Sequence, residues 1–60
     1  MTEKQETALR AVCERFKKPF RKDDYSPGIG CGDGWLEGWV GGTPLNSIYV
    51  GCSPEGRIHS

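Results

Sequence analysis

Residues 35–60, WLEGWVGGTPLNSIYVGCSPEGRIHS, decide the fold of this chain because apolar and polar side chains alternate in runs between two turn-forming segments. Alternation with a period of two is typical of β-strands with one buried face. The turn segments are GGTP (41–44) and SPEG (53–56), and the second has the Pro and Gly positions that type I turns prefer. The stretch therefore predicts three strands in an antiparallel meander, at about residues 35–40, 46–52 and 57–60.

The N-terminal segment predicts an amphipathic helix over about residues 3–17. Thr2 and Gln5 form a capping-box pattern, and Pro19 disfavours helical geometry at the residue before it. The apolar side chains fall on one helical arc, which we expect to face the sheet. They are Ala8, Leu9, Val12, Cys13 and Phe16.

Residues 19–34, PFRKDDYSPGIGCGDG, form a glycine-rich connector between the helix and the first strand. Its glycines superficially resemble a phosphate-binding loop, but such a loop follows a strand and opens a helix, and here the order is reversed. We interpret the segment as a turn-rich linker that Phe20 and Tyr25 anchor to the core.

These elements predict one small α+β domain over residues 1–60, with the order α-β-β-β and the helix packed on one face of a three-stranded antiparallel meander. A chain of this length buries only about 60% of the surface that its unfolded form exposes, so the core must be small.

Alternation along the strands separates an aliphatic face from an aromatic face. The aliphatic face comprises Leu36, Gly38, Val40, Ile48, Val50, Cys52 and Ile58. The other face holds every ionisable strand residue, and burying an unpaired charge is costly, so we expect the aliphatic face to contact the helix. We expect residues of the other face to contact a partner, and we call them the predicted binding surface. They are Trp35, Glu37, Trp39, Tyr49, Arg57 and His59. The alternative is that the tryptophans belong to the core, or that the connector covers them through Phe20 and Tyr25.

The chain has no net charge, but its charge is unevenly distributed. Residues 1–22 carry seven basic and three acidic side chains (net +4), and residues 23–60 carry one basic and five acidic side chains (net −4). Attraction between the two halves within the molecule is one explanation. The other is a basic segment, Lys17, Lys18, Arg21 and Lys22, that contacts a partner.

No residue set forms a clear catalytic or metal-binding signature, so we predict a protein that is not an enzyme and has no cofactor. Four residues could in principle ligate zinc, namely Cys13, Cys31, Cys52 and His59. They lack the closely spaced cysteine pair of structural zinc sites, and free cysteine is commonly a small buried apolar residue. Zinc therefore stays a low-ranked alternative.

Residues 34–50, GWLEGWVGGTPLNSIYV, resemble the later half of an SH3 domain. The likeness is carried by Trp35, Gly38, Pro44, Asn46, Tyr49 and Val50. It would imply that Trp35 and Tyr49 bind a proline-rich peptide. The likeness covers less than a third of the chain, and a helix stands where that family has its first strands, so we assign the chain to no family.

The function that these patterns favour is a small non-catalytic protein-binding module of the inhibitor or adaptor type, a class that phages also encode. Its partner would be another protein or a second copy of the chain. The alternatives are a single-stranded nucleic-acid-binding protein, which would use the same aromatic residues and the basic segment, and a zinc-stabilised minidomain. The chain has no apolar run of membrane-spanning length and no secretory signal, so we expect a cytoplasmic protein without a membrane partner.

Overall fold

The computed structural model describes residues 1–28 and 32–60, which form one helix and a four-stranded antiparallel sheet. The helix is α1 (Glu3–Arg15), and the strands are β1 (Ser26–Pro27), β2 (Leu36–Trp39), β3 (Tyr49–Cys52) and β4 (Ile58–His59), in the spatial order β1-β2-β3-β4. Two short 3₁₀ turns lie at Lys22–Asp24 and Val40–Gly42. The predicted α+β class is confirmed, and the predicted count of three strands is wrong by one.

The helix α1 begins as the capping-box pattern predicts. The Thr2 hydroxyl accepts a hydrogen bond from the Gln5 amide at 3.1 Å, and the Gln5 side chain accepts one from the Thr2 amide at 2.8 Å. These two bonds satisfy N–H groups that the first helical turn leaves without intrahelical acceptors.

The helix ends two residues earlier than predicted, at Arg15. Lys17 adopts a left-handed conformation with φ of 56°. The Lys17 amide donates to the Glu14 carbonyl and the Lys18 amide donates to the Cys13 carbonyl, which is the Schellman pattern of helix termination. Pro19 therefore restricts a chain that has already left the helix.

The core lies between α1 and the aliphatic face of the sheet. Leu9, Val40 and Val50 are completely buried, and the remaining core residues are Val12, Cys13, Tyr25 and Cys52. The prediction that the aliphatic face contacts the helix is confirmed. The prediction that Phe16 belongs to the core is wrong, because Phe16 follows the last helical turn as the C-cap and is 36% exposed.

The connector contributes more to the fold than a linker would. Tyr25 is a core residue and Phe20 packs against the core, so both aromatic side chains lie on the same side of the sheet as α1. Beyond them, Ser26 pairs with Glu37 and Pro27 pairs with Leu36, which adds the unpredicted strand β1.

Three strands are shorter than predicted because the chain turns close to the sheet. Val40 starts a 3₁₀ turn instead of ending β2, and Gly41 and Gly42 both have φ near 80°. Asn46 also has a positive φ, of 52°, so extended geometry is established only at Tyr49. The loop that joins β2 to β3, residues 40–48, is thus longer than the five residues that the predicted strand bounds leave between these strands.

Candidate functional site

The side of the sheet opposite α1, here named the outer face, carries the aromatic residues of the predicted binding surface. They form two pairs, one at each end of the face: Trp39 with Tyr49, and Trp35 with His59. Phe20 and Tyr25 lie on the inner side, so they do not cover these rings.

Trp39 and Tyr49 are direct cross-strand partners in the β2–β3 register. Their ring centroids are 5.2 Å apart and the rings meet edge to face at 71°. Trp39 is 37% exposed and Tyr49 is 45% exposed, so the pair presents apolar surface to solvent. Edge-to-face packing stabilises each ring against the other, which holds both in one orientation before any partner arrives.

Trp35 is half-buried because its indole lies on two glycines, Gly28 directly after β1 and Gly51 in β3. A Cβ placed on Gly51 would lie 2.5 Å from the Trp35 ring, and a Cβ on Gly28 would collide with the same indole. The ring also lies beside His59, with centroids 5.0 Å apart. Trp35 therefore covers backbone, whereas Trp39 faces solvent, and the two tryptophans of this face differ in role.

The polar members of the predicted binding surface differ in whether they contact the aromatic side chains. Partial desolvation and then the neighbouring Glu37 carboxylate raise the pKa of the Tyr49 hydroxyl. Arg57 is exposed at the turn before β4, and among residues 1–28 and 32–60 it makes no cation–π contact with the rings. Trp35 and Tyr49, which an SH3-like site would use together, belong to different aromatic pairs.

The loop between β2 and β3 places a further apolar side chain at the Trp39–Tyr49 end of the sheet. The Val40 amide donates to the Ile48 carbonyl at 3.0 Å and closes this loop directly after Trp39. Leu45, within the loop, is 71% exposed. Leu45 is not among the residues predicted from the sequence, although an aliphatic residue among Gly, Thr, Pro and Asn was the available signal.

Lys18 joins the basic segment to that loop. Its Nζ donates to the Leu45 carbonyl oxygen at 3.2 Å, and its aliphatic stem packs on Gly41. Elsewhere in the segment, Lys22 pairs with Glu6 at 3.5 Å. The structure therefore brings the start of the basic segment into contact with the loop that joins β2 to β3.

The two ion pairs found among the described residues do not connect the oppositely charged halves. Glu6 pairs with Arg10 at 3.0 Å and with Lys22, so both pairs lie within the N-terminal half. Glu3 and Glu55 line a shallow groove at the start of α1, and Lys17 and Lys18 follow its end, about 20 Å away at the usual helical rise. Lys4 lines the same groove, and the Asp24 carboxylate lies against Gly42 of the loop that Lys18 contacts, so both signs of charge occur at each end of α1.

The low-ranked zinc set does not form a site in the part of the chain that the structure describes. Cys13 lies in the core with its Sγ 3.3 Å from the Tyr25 hydroxyl, and Cys52 is buried in the same core. His59 lies on the outer face, and Cys31 is outside the described residues. Among residues 1–28 and 32–60, no three His, Cys, Asp or Glu residues are arranged to hold a metal ion.

Within the same two ranges, α1 is the longest helix, and no helix has both the length and the apolar character needed to cross a bilayer.

Comparison of the chain with protein-family models, with curated proteins and with solved structures finds no match.

Proposed function

We propose that this protein is a small non-catalytic binding module of the inhibitor or adaptor type, which docks onto another protein through the outer face of its sheet. The observation that carries the proposal is the exposed, edge-to-face pair of Trp39 and Tyr49. Tryptophan and tyrosine are enriched in the residues that dominate binding energy at protein interfaces.

The surrounding structure supports this role for the pair. Phe20 and Tyr25 of the connector pack with α1 on the other side of the sheet, and Trp39 and Tyr49 are exposed on the outer face in the part of the chain that the structure describes. Trp35 and His59 extend the apolar surface toward β4, while Glu37 and Arg57 supply polar groups beside it. An apolar centre with a polar border is the usual arrangement of a protein-binding surface.

Single-stranded nucleic acid is the second candidate ligand. The observation in its favour is the contact of Lys18 with the loop that begins directly after Trp39, because bases stack on aromatic rings and lysines contact phosphates. The Glu37 carboxylate beside Tyr49 opposes it, since it would repel a phosphate backbone at the same rings.

The buried free thiols of Cys13 and Cys52 support the further proposal that the protein works in the reducing cytoplasm, because disulfides are rare there.

Site-specific photocrosslinking in the native host tests the proposed surface. A benzophenone-bearing phenylalanine replaces Trp39 in one variant and Tyr49 in a second. In the control it replaces Phe16, which is similarly exposed but lies at the end of α1. We expect positions 39 and 49 to yield the same discrete protein adduct, and position 16 to yield none.

Equal crosslinking at all three positions, or no adduct at 39 and 49, would contradict the proposal. An adduct that nuclease removes would favour the nucleic-acid candidate, and an adduct at twice the mass of the chain would favour self-association.

A further inference from the structure

We infer that the partner presents an arginine side chain, and that this side chain binds against the Trp39 and Tyr49 rings and the Glu37 carboxylate. We call these three residues the arginine site. The inference rests on the proposed function, because it specifies which side chain of the partner the exposed aromatic pair would bind.

The two aromatic rings form the apolar part of the arginine site. The planes of the Trp39 and Tyr49 rings meet at 71° with their centroids 5.2 Å apart, and both side chains are exposed. A guanidinium group is planar and stacks on aromatic faces, where the ring quadrupole attracts a positive charge. Tryptophan is the most favourable ring for this contact, and tyrosine also provides it. The pair therefore offers a cation two rings in a fixed arrangement.

Glu37 lies on the same face of the sheet as the two rings. It precedes Trp39 by two residues in β2, and it pairs with Gly51, which follows Tyr49 by two residues in β3. Residues in such a diagonal relationship have Cα atoms roughly 7–8 Å apart, a distance that long side chains can span. Desolvation and then the Glu37 carboxylate raise the pKa of Tyr49, which agrees with this placement.

The Glu37 carboxylate has no cationic partner in the part of the chain that the structure describes. Both ion pairs found there involve Glu6, and the one cation–π contact joins Arg10 to Phe20. Glu37 is nevertheless half-buried, and a partner on the rings would cover it further. Because burying an isolated charge is costly, the partner must supply a positive group. An arginine can do so through two parallel hydrogen bonds to the carboxylate.

The basic residues of the strand β4 and the turn before it are directed elsewhere on the outer face. Arg57 is bonded to Ser53, which lies four residues along β3 from Tyr49, or roughly 13 Å at the usual strand rise. The His59 ring contacts Trp35 at the other end of the face. Neither residue therefore occupies the arginine site.

The loop between β2 and β3 contacts charges of both signs. The Lys18 Nζ is bonded to the Leu45 carbonyl, and the Asp24 carboxylate lies against Gly42. The loop thus gives the neighbourhood of the rings no single sign of charge. Glu37 is the charged side chain that acts on the aromatic pair itself, so the complementary ligand is a cation.

Selection from a displayed library of short random peptides tests the inference while the natural partner is still unidentified. The library is selected on the full chain, and peptides that also bind the Trp39→Ala variant are removed. We expect the remaining sequences to be enriched in arginine. One of them is then synthesised with arginine and with citrulline, which has nearly the same shape but no charge. The citrulline peptide should bind about fivefold less tightly, or weaker still.

Two variants of the chain test which carboxylate is responsible. Glu37→Gln keeps the shape of the side chain without its charge, so it should weaken the arginine peptide about fivefold and leave the citrulline peptide nearly unchanged. Glu55→Gln removes an exposed carboxylate from the turn before β4 and should change neither affinity. Circular dichroism checks that each variant is folded, and the two peptides still test the inference on the unaltered chain if Glu37→Gln is not.

The possible results distinguish this inference from the proposed function. If the Trp39-dependent peptides lack arginine, or if citrulline replaces arginine without loss, the inferred arginine is refuted and the binding surface stands. Equal weakening by Glu37→Gln and Glu55→Gln would also refute it. If no peptide depends on Trp39, the proposed function itself fails. Tighter binding of oligo(dT) than of the arginine peptide, or a concentration-dependent doubling of mass by light scattering, would replace the inferred partner by nucleic acid or by a second copy.

Discussion

The indole of Trp35 lies directly on the backbone of Gly51 in the neighbouring strand, where a Cβ would approach the ring to 2.5 Å. This contact explains why a glycine occurs in the middle of β3, a position where glycine is otherwise unfavourable. The aromatic ring covers a stretch of sheet that has no side chain of its own to shield it.

We predict that Gly51→Ala destabilises the protein by about 1–3 kcal/mol, because the new methyl group displaces the indole. The measurement is urea denaturation. In a Trp35→Leu background the same substitution should cost clearly less, since the two residues are in contact and their effects are not additive. An equal loss of unfolding free energy in both backgrounds would show that the indole does not restrict the size of the side chain at position 51.

Gln5 is a buried polar residue that connects three parts of the fold. Its Nε2 donates to the Gly34 carbonyl at 2.5 Å and to the Cys52 carbonyl at 3.3 Å, while its Oε1 accepts from Thr2. We predict that Gln5→Glu destabilises by about 3 kcal/mol at neutral pH, because a buried carboxylate would face two carbonyl oxygens. Circular dichroism in a urea titration measures the loss.

The control for this prediction is Gln5→Met, which has a similar shape and no charge. It should be less damaging than Gln5→Glu, and lowering the pH toward 4 should partly restore the glutamate variant by protonating it. A glutamate variant as stable as the methionine variant would contradict the described hydrogen-bonding arrangement.

Lys17→Gly is predicted to raise stability by about 1 kcal/mol, which corresponds to roughly 4–8 °C in Tm for a domain of this size. Glycine accepts the left-handed conformation that Lys17 adopts without steric cost. Lys17→Ala removes the same charge but keeps a Cβ, so it should give no such gain. A similar gain in both variants would indicate charge relief instead of relief of backbone strain.

Stability should fall steeply at alkaline pH because of Tyr25. Burial, and next the contact with Cys13, raise the pKa of this hydroxyl far above its ordinary value of about 10. Above pH 10 the unfolded chain releases this proton and the folded chain retains it, so the stabilising contribution present below pH 10 is lost as pH rises. The expected loss is about 1.4 kcal/mol per pH unit.

The measurement for Tyr25 is the free energy of unfolding between pH 9 and 11. A Tyr25→Phe variant should show a shallower slope over this range, whatever its stability at pH 7. An unchanged slope would assign the alkaline sensitivity to other groups.

The sequence predicted the parts of the fold that local patterns control. The capping box of Thr2 and Gln5 identified the start of α1, and alternation identified which sheet residues face the helix. The end of α1 could not be predicted, since Lys17 ends the helix in a conformation that sequence patterns associate with glycine. β1 could not be predicted either, because Ser26–Pro27 is too short to show a period and exists only through pairing with β2.

The candidate site was predictable only in outline. Alternation placed Trp35, Trp39 and Tyr49 on one face, but the difference between a half-buried Trp35 and an exposed Trp39 depends on Gly28 and Gly51, which lie elsewhere in the sequence. The position of Leu45 beside Lys18 is set by a hydrogen bond that spans 27 residues of sequence. Contacts of that separation leave no local signature.

Pro27 occupies β1, the outermost strand of the sheet on that side. The neighbouring Gly28 amide bonds to Trp35, so alternation directs the nitrogen of Pro27 away from the sheet. That nitrogen has no hydrogen to donate, so a strand from another molecule could not pair with the outer edge of β1 through a complete set of backbone hydrogen bonds. Growth of the sheet into aggregates is thereby blocked on this flank.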